Sequence, residues 1–397
     1  MPAPKPVSRL TIWMLSIAMK ERFRHAAAER SGAEPIIVAI ELADRTIGYG
    51  ETHPRPYVTG ETVEDVIRSI REDFLPLLVE MRPSNFGEAI ELAAGLPLRN
   101  RRGRVITAAR AAVELALLDA YSQAFDRSLA SLAGWVCETW LGSPGSRGAV
   151  RFGGVLTASD PAAVGRSIRK MRLGRLRDFK LKVGDEQDEA RLQAAVRALG
   201  RGLESGRTSL RLDANGAWTL PEAIERLRNW ERLPIVCVEQ PLAKAALGDW
   251  TALAAKTCLP LMADESLVTP EDAESLIHGR CASWFNIRIS KNGGLIPALR
   301  LAVLAHEHQV DAQLGCMVGE TSILSAAGRW FLQLVPGVRF AEGNFGRFLL
   351  KEDVSDRSLR FGLGGRWKTL EGPGLGAKVS IERLQRLSSL PAVELPL

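Results

Sequence analysis

Cysteine is scarce and unpaired in this 397-residue sequence: Cys137, Cys237, Cys258, Cys281 and Cys316 are widely spaced and form no Cys-x-x-Cys motif. An odd, scattered set excludes a disulfide framework and reads as buried thiols in a reducing compartment. No uncharged apolar run reaches the roughly 18 residues needed to cross a bilayer, and Met1 to Pro6 carries no apolar stretch of the signal-peptide kind. A cytoplasmic protein without a membrane partner is expected. No Gly-x-Gly-x-x-Gly follows any candidate strand, and no phosphate loop or nucleophilic triad stands out. The five histidines, at 25, 53, 278, 306 and 308, form no ligand set. His306 and His308 lie two apart on a helical pattern and face different ways, as surface residues do; loop histidines such as His25 and His53 are ordinarily solvated. Clustered charge is missing too. The 52 basic and 46 acidic residues are interspersed, and the arginine-rich stretch at 99 to 104 is a short solvated turn, so no nucleic-acid partner is expected. A net charge of +6 suits an anionic small molecule.

Hydrophobic residues at 46% and charged residues at 25% are ordinary for a globular chain of this length, which suits one large barrel plus an added domain. Residues 7 to 50 alternate as strands over Arg9 to Met14, Pro35 to Leu42 and Thr46 to Glu51. Met19 to His25 reads as a polar, mobile loop between the first two, and Glu51 to Thr62 as a second loop carrying His53, Arg55, Tyr57 and Gly60. Helical spacing follows over 61–80, 84–95 and 104–132, the last alanine-rich. Sheet then helices predict an α+β domain over 1–130, ending where Gly142, Pro144 and Gly145 break the pattern. From 149 the rhythm changes. Apolar runs at 150–155, 178–183, 208–213, 235–239, 259–264, 283–289, 309–314 and 337–342 alternate with amphipathic helices, which predicts a (β/α) barrel over 149–345 with its site at the C-terminal strand ends. The tail, 346–397, lacks that rhythm and is expected to return to the first domain.

The second of these strands carries Lys180 and Lys182 on one face, since strand side chains alternate with a period of two. Inside a barrel, mutual repulsion and desolvation would lower a lysine pKa from about 10.4 toward neutrality and create a proton base. The next three strands end in Asp213, Glu239 and Asp264, at intervals of 239 − 213 = 26 and 264 − 239 = 25, one strand-helix unit each. A single acid there is ordinarily a turn or helix-capping residue. Three in register would repel strongly unless a cation sits among them, and all-oxygen donors indicate a hard ion such as Mg²⁺. One unit further stands Arg288, placed by the same period to face Lys182. Strand parity puts Lys291 on the opposite side. Trp218, just past Asp213, reads equally as site wall or core.

With these motifs the sequence resembles the enolase superfamily, in its muconate-lactonizing (muconate cycloisomerase) subgroup, over nearly its whole length. Gly48-Tyr49-Gly50-Glu51 and Gly374-Leu375-Gly376 join the barrel motifs in that likeness. The resemblance implies a modified (β/α)7β barrel with an α+β capping domain built from both chain ends. It implies Lys182 as acid/base with Lys180 assisting, and Asp213, Glu239 and Asp264 holding one Mg²⁺ per subunit, for which Mn²⁺ would substitute. Loops around 20–25 and 51–60 would close over substrate, and Gly315 to Glu320 would line the site. Asn215, Glu265, Lys291, Met317, Glu320, Tyr57 and Phe23 are the expected substrate contacts, and a dimer or octamer is the expected assembly. The implied reaction moves a proton α to a carboxylate through an enediolate. One departure matters: the subgroup has a lysine where this sequence has Arg288. Arginine stays protonated and is a poor proton acceptor. Cycloisomerisation, or syn dehydration of the o-succinylbenzoate synthase kind, survives that change; two-base racemisation or epimerisation is put in doubt, and a carboxylate-binding homologue that has lost catalysis is the reading from another class.

Overall fold

The computed structural model describes residues 3–25, 28–142 and 150–397, with only the backbone described over 21–25 and 28–30. Pro144 and Gly145 therefore lie outside the described residues. Strands β1 (Val7–Met14), β4 (Ile36–Leu42) and β5 (Ile47–Thr52) realise the expected meander, and β14 (Val393–Pro396) returns from the tail to complete a sheet in the order β14-β1-β4-β5. β14 pairs antiparallel with β1, Leu10 opposite Leu395. The Met19 to His25 stretch departs from expectation. It belongs to β2 (Ile17–His25), which forms a two-stranded antiparallel hairpin with β3 (Ala28–Ala33). The base of β2 is also tied to the tail, the Lys20 N–H donating to the Leu349 carbonyl at 2.8 Å.

The helices after β5 run Val63–Ser69, a π-helical turn Ile70–Phe74, Leu75–Glu80, and Phe86–Ala94. The long helix is shorter than its pattern suggested, Thr107–Ala124, and a separate helix Ser131–Cys137 follows. The long helix presses against β5 because β5 offers no side chain at two positions. A Cβ on Gly50 would stand 1.9 Å from the Ala112 carbonyl oxygen, and one on Gly48 2.2 Å from the Ala120 nitrogen. The glycines of that motif are thus packing residues.

The second half contains eight parallel strands in sequential order: β6 (Gly154–Leu156), β7 (Asp178–Lys182), β8 (Ser209–Asp213), β9 (Val238–Glu239), β10 (Leu261–Ala263), β11 (Trp284–Ile287), β12 (Asp311–Leu314) and β13 (Phe340–Ala341). A parallel bridge between Phe152 and Ala341 joins the two ends. An α-helix follows each of the first seven strands, while β13 leads only to a 3₁₀ turn at Gly346–Phe348. The architecture is the (β/α)7β form with an α+β cap. Several of these helices start on sequence signals: Thr219 and Thr269 each close a capping box, and Asp160 caps from its carboxylate. No described helix is long and apolar enough to cross a membrane.

Two helix starts in the barrel are capped from the other half of the molecule. The buried Glu51 carboxylate accepts the Thr321 and Leu324 N–H groups at 2.7 and 2.9 Å at the start of Ser322–Leu334. Glu114 accepts from the Leu295 and Ile296 N–H groups, both at 2.8 Å, at the start of Leu295–Glu307. Carboxylates at these ends satisfy orphan donors and oppose the helix dipole.

Candidate active site

The site grows from strand parity. Lys180 pairs with Arg211, Lys182 with Asp213, and Asp213 with Glu239 across β7, β8 and β9, so one interior layer sits below another. The lower layer is polar. Arg211, fully buried, pairs with Glu342 at 2.9 Å, and Asn286 donates to Glu239 at 2.7 Å. The pairing is incomplete: Arg211 Nε and Nη2 and Asn286 Oδ1 are buried without a hydrogen-bond partner.

Lys180 crowns that layer. Its ammonium lies 3.1 Å from Asp213, 3.1 Å from Glu239 and 2.6 Å from Glu342. Burial alone would lower its pKa, but Glu239, Glu342 and Asp213 outweigh burial and hold it above the usual lysine range. The expected mutual depression of the lysine pair is therefore overturned for Lys180: the carboxylates dominate. Lys182 stands higher, its amine 2.6 Å from Asp213 Oδ2 and 2.7 Å from Asn215 Oδ1, with 11% of the side chain exposed. Burial pushes Asp213 up, yet Lys182 and Lys180 together hold it well below the usual carboxylate range. Glu239 and Glu265 move the other way, pushed up by burial and then by the neighbouring Asp213 charge.

Asn215 and Gln240, directly beyond the strands, adopt left-handed backbone at φ of 46° and 40°. Such strain persists only where surroundings fix it. Here it aims Asn215 between Lys182 and Glu265, donating to the latter at 3.1 Å.

Arg288 begins a turn, because β11 stops at Ile287 and the Arg288 N–H donates to the Asn292 side chain at 2.9 Å. Its guanidinium contacts Asp264 and lies 3.8 Å from Glu239. The turn also defeats the parity argument for Lys291. That side chain is sealed from solvent and reaches the same Asp264, at 2.9 Å, from beneath.

Asp213, Glu239 and Asp264 are all fully buried, and their repulsion is relieved by the chain's own cations: Lys180, Lys182, Arg288 and Lys291. Among the described residues, no three acidic, histidine or cysteine side chains are grouped as they stand for a metal; the Lys180 and Arg288 head groups lie between them. The donor chemistry nonetheless fits a hard divalent ion. It is all oxygen, on consecutive strand ends, and Glu265 Oε2 beside it is buried without a hydrogen-bond partner.

These groups border a cavity of about 50 Å³. Of the expected contacts, Tyr57, Asn215, Glu265 and Met317 line it, with Lys180, Lys182 and Arg288. Lys291 and Glu320 do not; Glu320 borders a smaller adjoining void. The Phe23 side chain lies outside the described residues. Trp218 is core, edge-on to Trp230 at 5.7 Å. His53, expected in solvent, is buried and bonded to Glu51 at 2.9 Å. Arg55, from the loop expected to close over substrate, also lines the cavity, whereas sequence reasoning missed Val155, Glu342, Phe345 and Leu349 there. Glu342 and Arg211 had a signal: each is a charged residue in an otherwise apolar barrel strand or at its end.

Residues 163–383 match the model described as enolase C-terminal domain-like, and residues 11–134 match the mandelate racemase / muconate lactonizing enzyme N-terminal domain. Muconate cycloisomerase 1-2 of Acinetobacter lwoffii is 31% identical over 361 residues, 89% of this chain and 87% of that one. The muconate lactonizing enzyme of Pseudomonas fluorescens, solved with muconolactone, superposes with a TM-score of 0.83 at 25% identity, covering 97% and 99% of the two chains. A dipeptide epimerase of Enterococcus faecalis, solved with Mg and the dipeptide L-Leu-L-Tyr, gives a TM-score of 0.77 at 24% identity over 94% and 99%. Two family models spanning both halves, and a relative above 30% identity along most of the chain, agree with the barrel and the cap: the chain belongs to the enolase superfamily, in its muconate-lactonizing-enzyme-like subgroup.

Proposed function

We propose that this protein is a Mg²⁺-dependent enzyme that moves the proton α to the carboxylate of a small-molecule substrate, in the manner of a muconate cycloisomerase. The observation that carries the reading is the asymmetry of the cavity. On one side Lys182 presents an amine, partly exposed and oriented by Asp213 and Asn215; on the other stands Arg288. Lys182 takes and returns the proton. Lys180, kept protonated by three carboxylates, and Arg288 supply fixed positive charge where the substrate carboxylate gains negative charge. Asp213, Glu239 and Asp264 would hold the metal, which when bound contributes Lewis-acid stabilisation of that carboxylate.

Arg288 decides among related reactions. A guanidinium accepts no proton near neutrality, so one base serves one face of the substrate. Cycloisomerisation needs no more, and neither does syn dehydration, the second reading. Racemisation or epimerisation needs a base on each face and ranks lower. Assembly as a homo-oligomer, dimer or octamer, is part of the proposal.

The test is deuterium incorporation at the α-carbon in D₂O across muconate, a succinylbenzoate precursor, N-acyl amino acids and dipeptides, with Mg²⁺ and after chelation. Exchange that stops on chelation, and that falls about 10²- to 10⁴-fold in Lys182→Met while the fold persists by circular dichroism, is the expected result. Full exchange in Lys182→Met would overturn the assignment of the base. Binding without any exchange would favour the non-catalytic reading.

A further inference from the structure

The catalytic cavity is too small for its task. At about 50 Å³ it falls far short of the roughly 300–1,000 Å³ of ordinary small-molecule sites. Beside it lies a second, larger space of about 650 Å³, and Val155, Phe345 and Leu349 border both. This groove runs between the helix Pro161–Leu173 and the segment after β13.

Its lining is mostly apolar and includes three phenylalanines. Phe361 is the hub, 5.9 Å from Phe345 edge-on and 5.2 Å from Phe348, and Phe361 is itself stacked on Phe152 at 6.0 Å. Leu349, Met171 and Leu363 extend the surface. Phe348 is 50% and Leu363 58% exposed, an unusual cost in water for large apolar groups that line one groove. No acidic residue lines it; Lys170 and Arg360 stand at its edge, and the Arg360 guanidinium lies over the Phe348 ring at 5.0 Å. Leu349 is held in place by the backbone bond from Lys20 in β2, so the boundary between the two spaces has a fixed wall.

We propose that the groove is the distal subsite of the catalytic pocket and that the substrate is a carboxylate bearing an extended apolar arm, aryl or branched alkyl. The acid end lies among Lys182, Lys180 and Arg288, and the arm passes Val155, Phe345 and Leu349 to lie on the phenylalanine cluster. This rests on the carboxylate reading given above and adds the class of its far end. The three wall residues shared with the catalytic cavity favour a substrate arm over a second copy of the chain, which would bury the groove without needing that shared wall.

The experiment compares 5-phenylpentanoate with butyrate as probes of the Mg²⁺-supplemented full-length protein, by isothermal titration calorimetry, in the wild type and in Leu363→Asp and Phe348→Ser. Both substitutions fall at half-exposed positions, so folding is retained. The arm is expected to tighten binding on the order of ten- to a hundredfold, the range for burying one aromatic side chain. The variants should remove most of that gain and leave butyrate binding unchanged. A gain below twofold, or one that survives in both variants, overturns the proposal. So does a dimer that dissociates in Leu363→Asp with no arm effect, which would assign the groove to a second copy. Deuterium exchange at the probe α-carbon separates the two claims. Exchange without an arm effect sinks only the distal subsite; an arm effect without exchange supports the subsite and sinks the reaction.

Discussion

Replacing Glu51 by Gln isolates the clasp between cap and barrel. The carboxylate takes four bonds: Oε1 accepts from Thr321 N–H at 2.7 Å and pairs with His53 Nε2 at 2.9 Å, while Oε2 accepts from the Thr321 hydroxyl at 2.6 Å and from Leu324 N–H at 2.9 Å. Glutamine has one acceptor oxygen and one amino group of nearly the same shape. His53 can change tautomer and the hydroxyl can rotate to accept, but a backbone N–H cannot. Whichever way the amide is turned, one buried N–H at the start of Ser322–Leu334 faces another donor. An orphaned buried donor costs about 1–3 kcal/mol, and loss of the charge at a helix N-terminus adds roughly 0.3–1 kcal/mol. Opening of that helix start should therefore become easier by about 1.3–4 kcal/mol, which is a roughly 10- to 1,000-fold acceleration of amide exchange there. Hydrogen exchange read by mass spectrometry on peptides covering 320–326 measures it without assuming two-state unfolding. Unchanged exchange in those peptides, in a variant that is otherwise folded, would refute the argument that Glu51 acts as a cap. Thr321→Val keeps both N–H bonds to Glu51 but removes the capping hydroxyl that accepts from Ile323 N–H at 3.3 Å, so it should speed exchange at Ile323 by the roughly 0.5–2 kcal/mol of a lost cap.

Arg288→Lys should give the site a second titratable amine, and exchange of the opposite enantiomer of a chiral α-substituted acid should rise about 100-fold above its wild-type background; identical exchange of both enantiomers before and after would make Arg288 a spectator. Gly50→Ala places a Cβ against the backbone of the long helix, which cannot yield as a side chain could, and should cost about 3 kcal/mol or more in urea denaturation. The Glu320 carboxyl is pushed up to about 8, first by burial and also by Glu51. Its folded pKa lies above the 4.5 of an ordinary glutamate, so the native state holds the proton more tightly, and this group's contribution is complete below pH 4.5 and lost as pH rises to about 8. Glu320→Gln mimics the protonated form, so wild type should lose stability relative to the variant between pH 5 and 8.5; parallel melting curves across that range would contradict it.

Much of the barrel was legible because its strands are short apolar runs at a steady spacing, and a period of that kind survives tertiary context. Asp213, Glu239 and Asp264 were visible for the same reason, each at the end of its run. What the sequence hid has three physical origins. Ile17, Met19 and Phe23 keep one parity along β2, but Lys20, Glu21, Arg22, Arg24 and His25 crowd the same stretch with charge, so it read as a loop. Parity failed at Lys291 because β11 ends four residues earlier, and parity holds only while a strand lasts. The charge state of Lys180 depends on Glu342, a partner brought close only when the last barrel strand comes round beside the first. Local pattern is silent about such neighbours.

The exchange of capping acids between the halves has a consequence for how this chain tolerates recombination. A barrel transplanted onto a foreign N-terminal half would leave Thr321, Leu324, Leu295 and Ile296 with donors pointing at nothing unless the newcomer carried acids where Glu51 and Glu114 stand. New specificity by shuffling whole halves is thereby restricted to donors that keep those two residues, whereas the walls of the groove beside β6 are free to vary within the recipient.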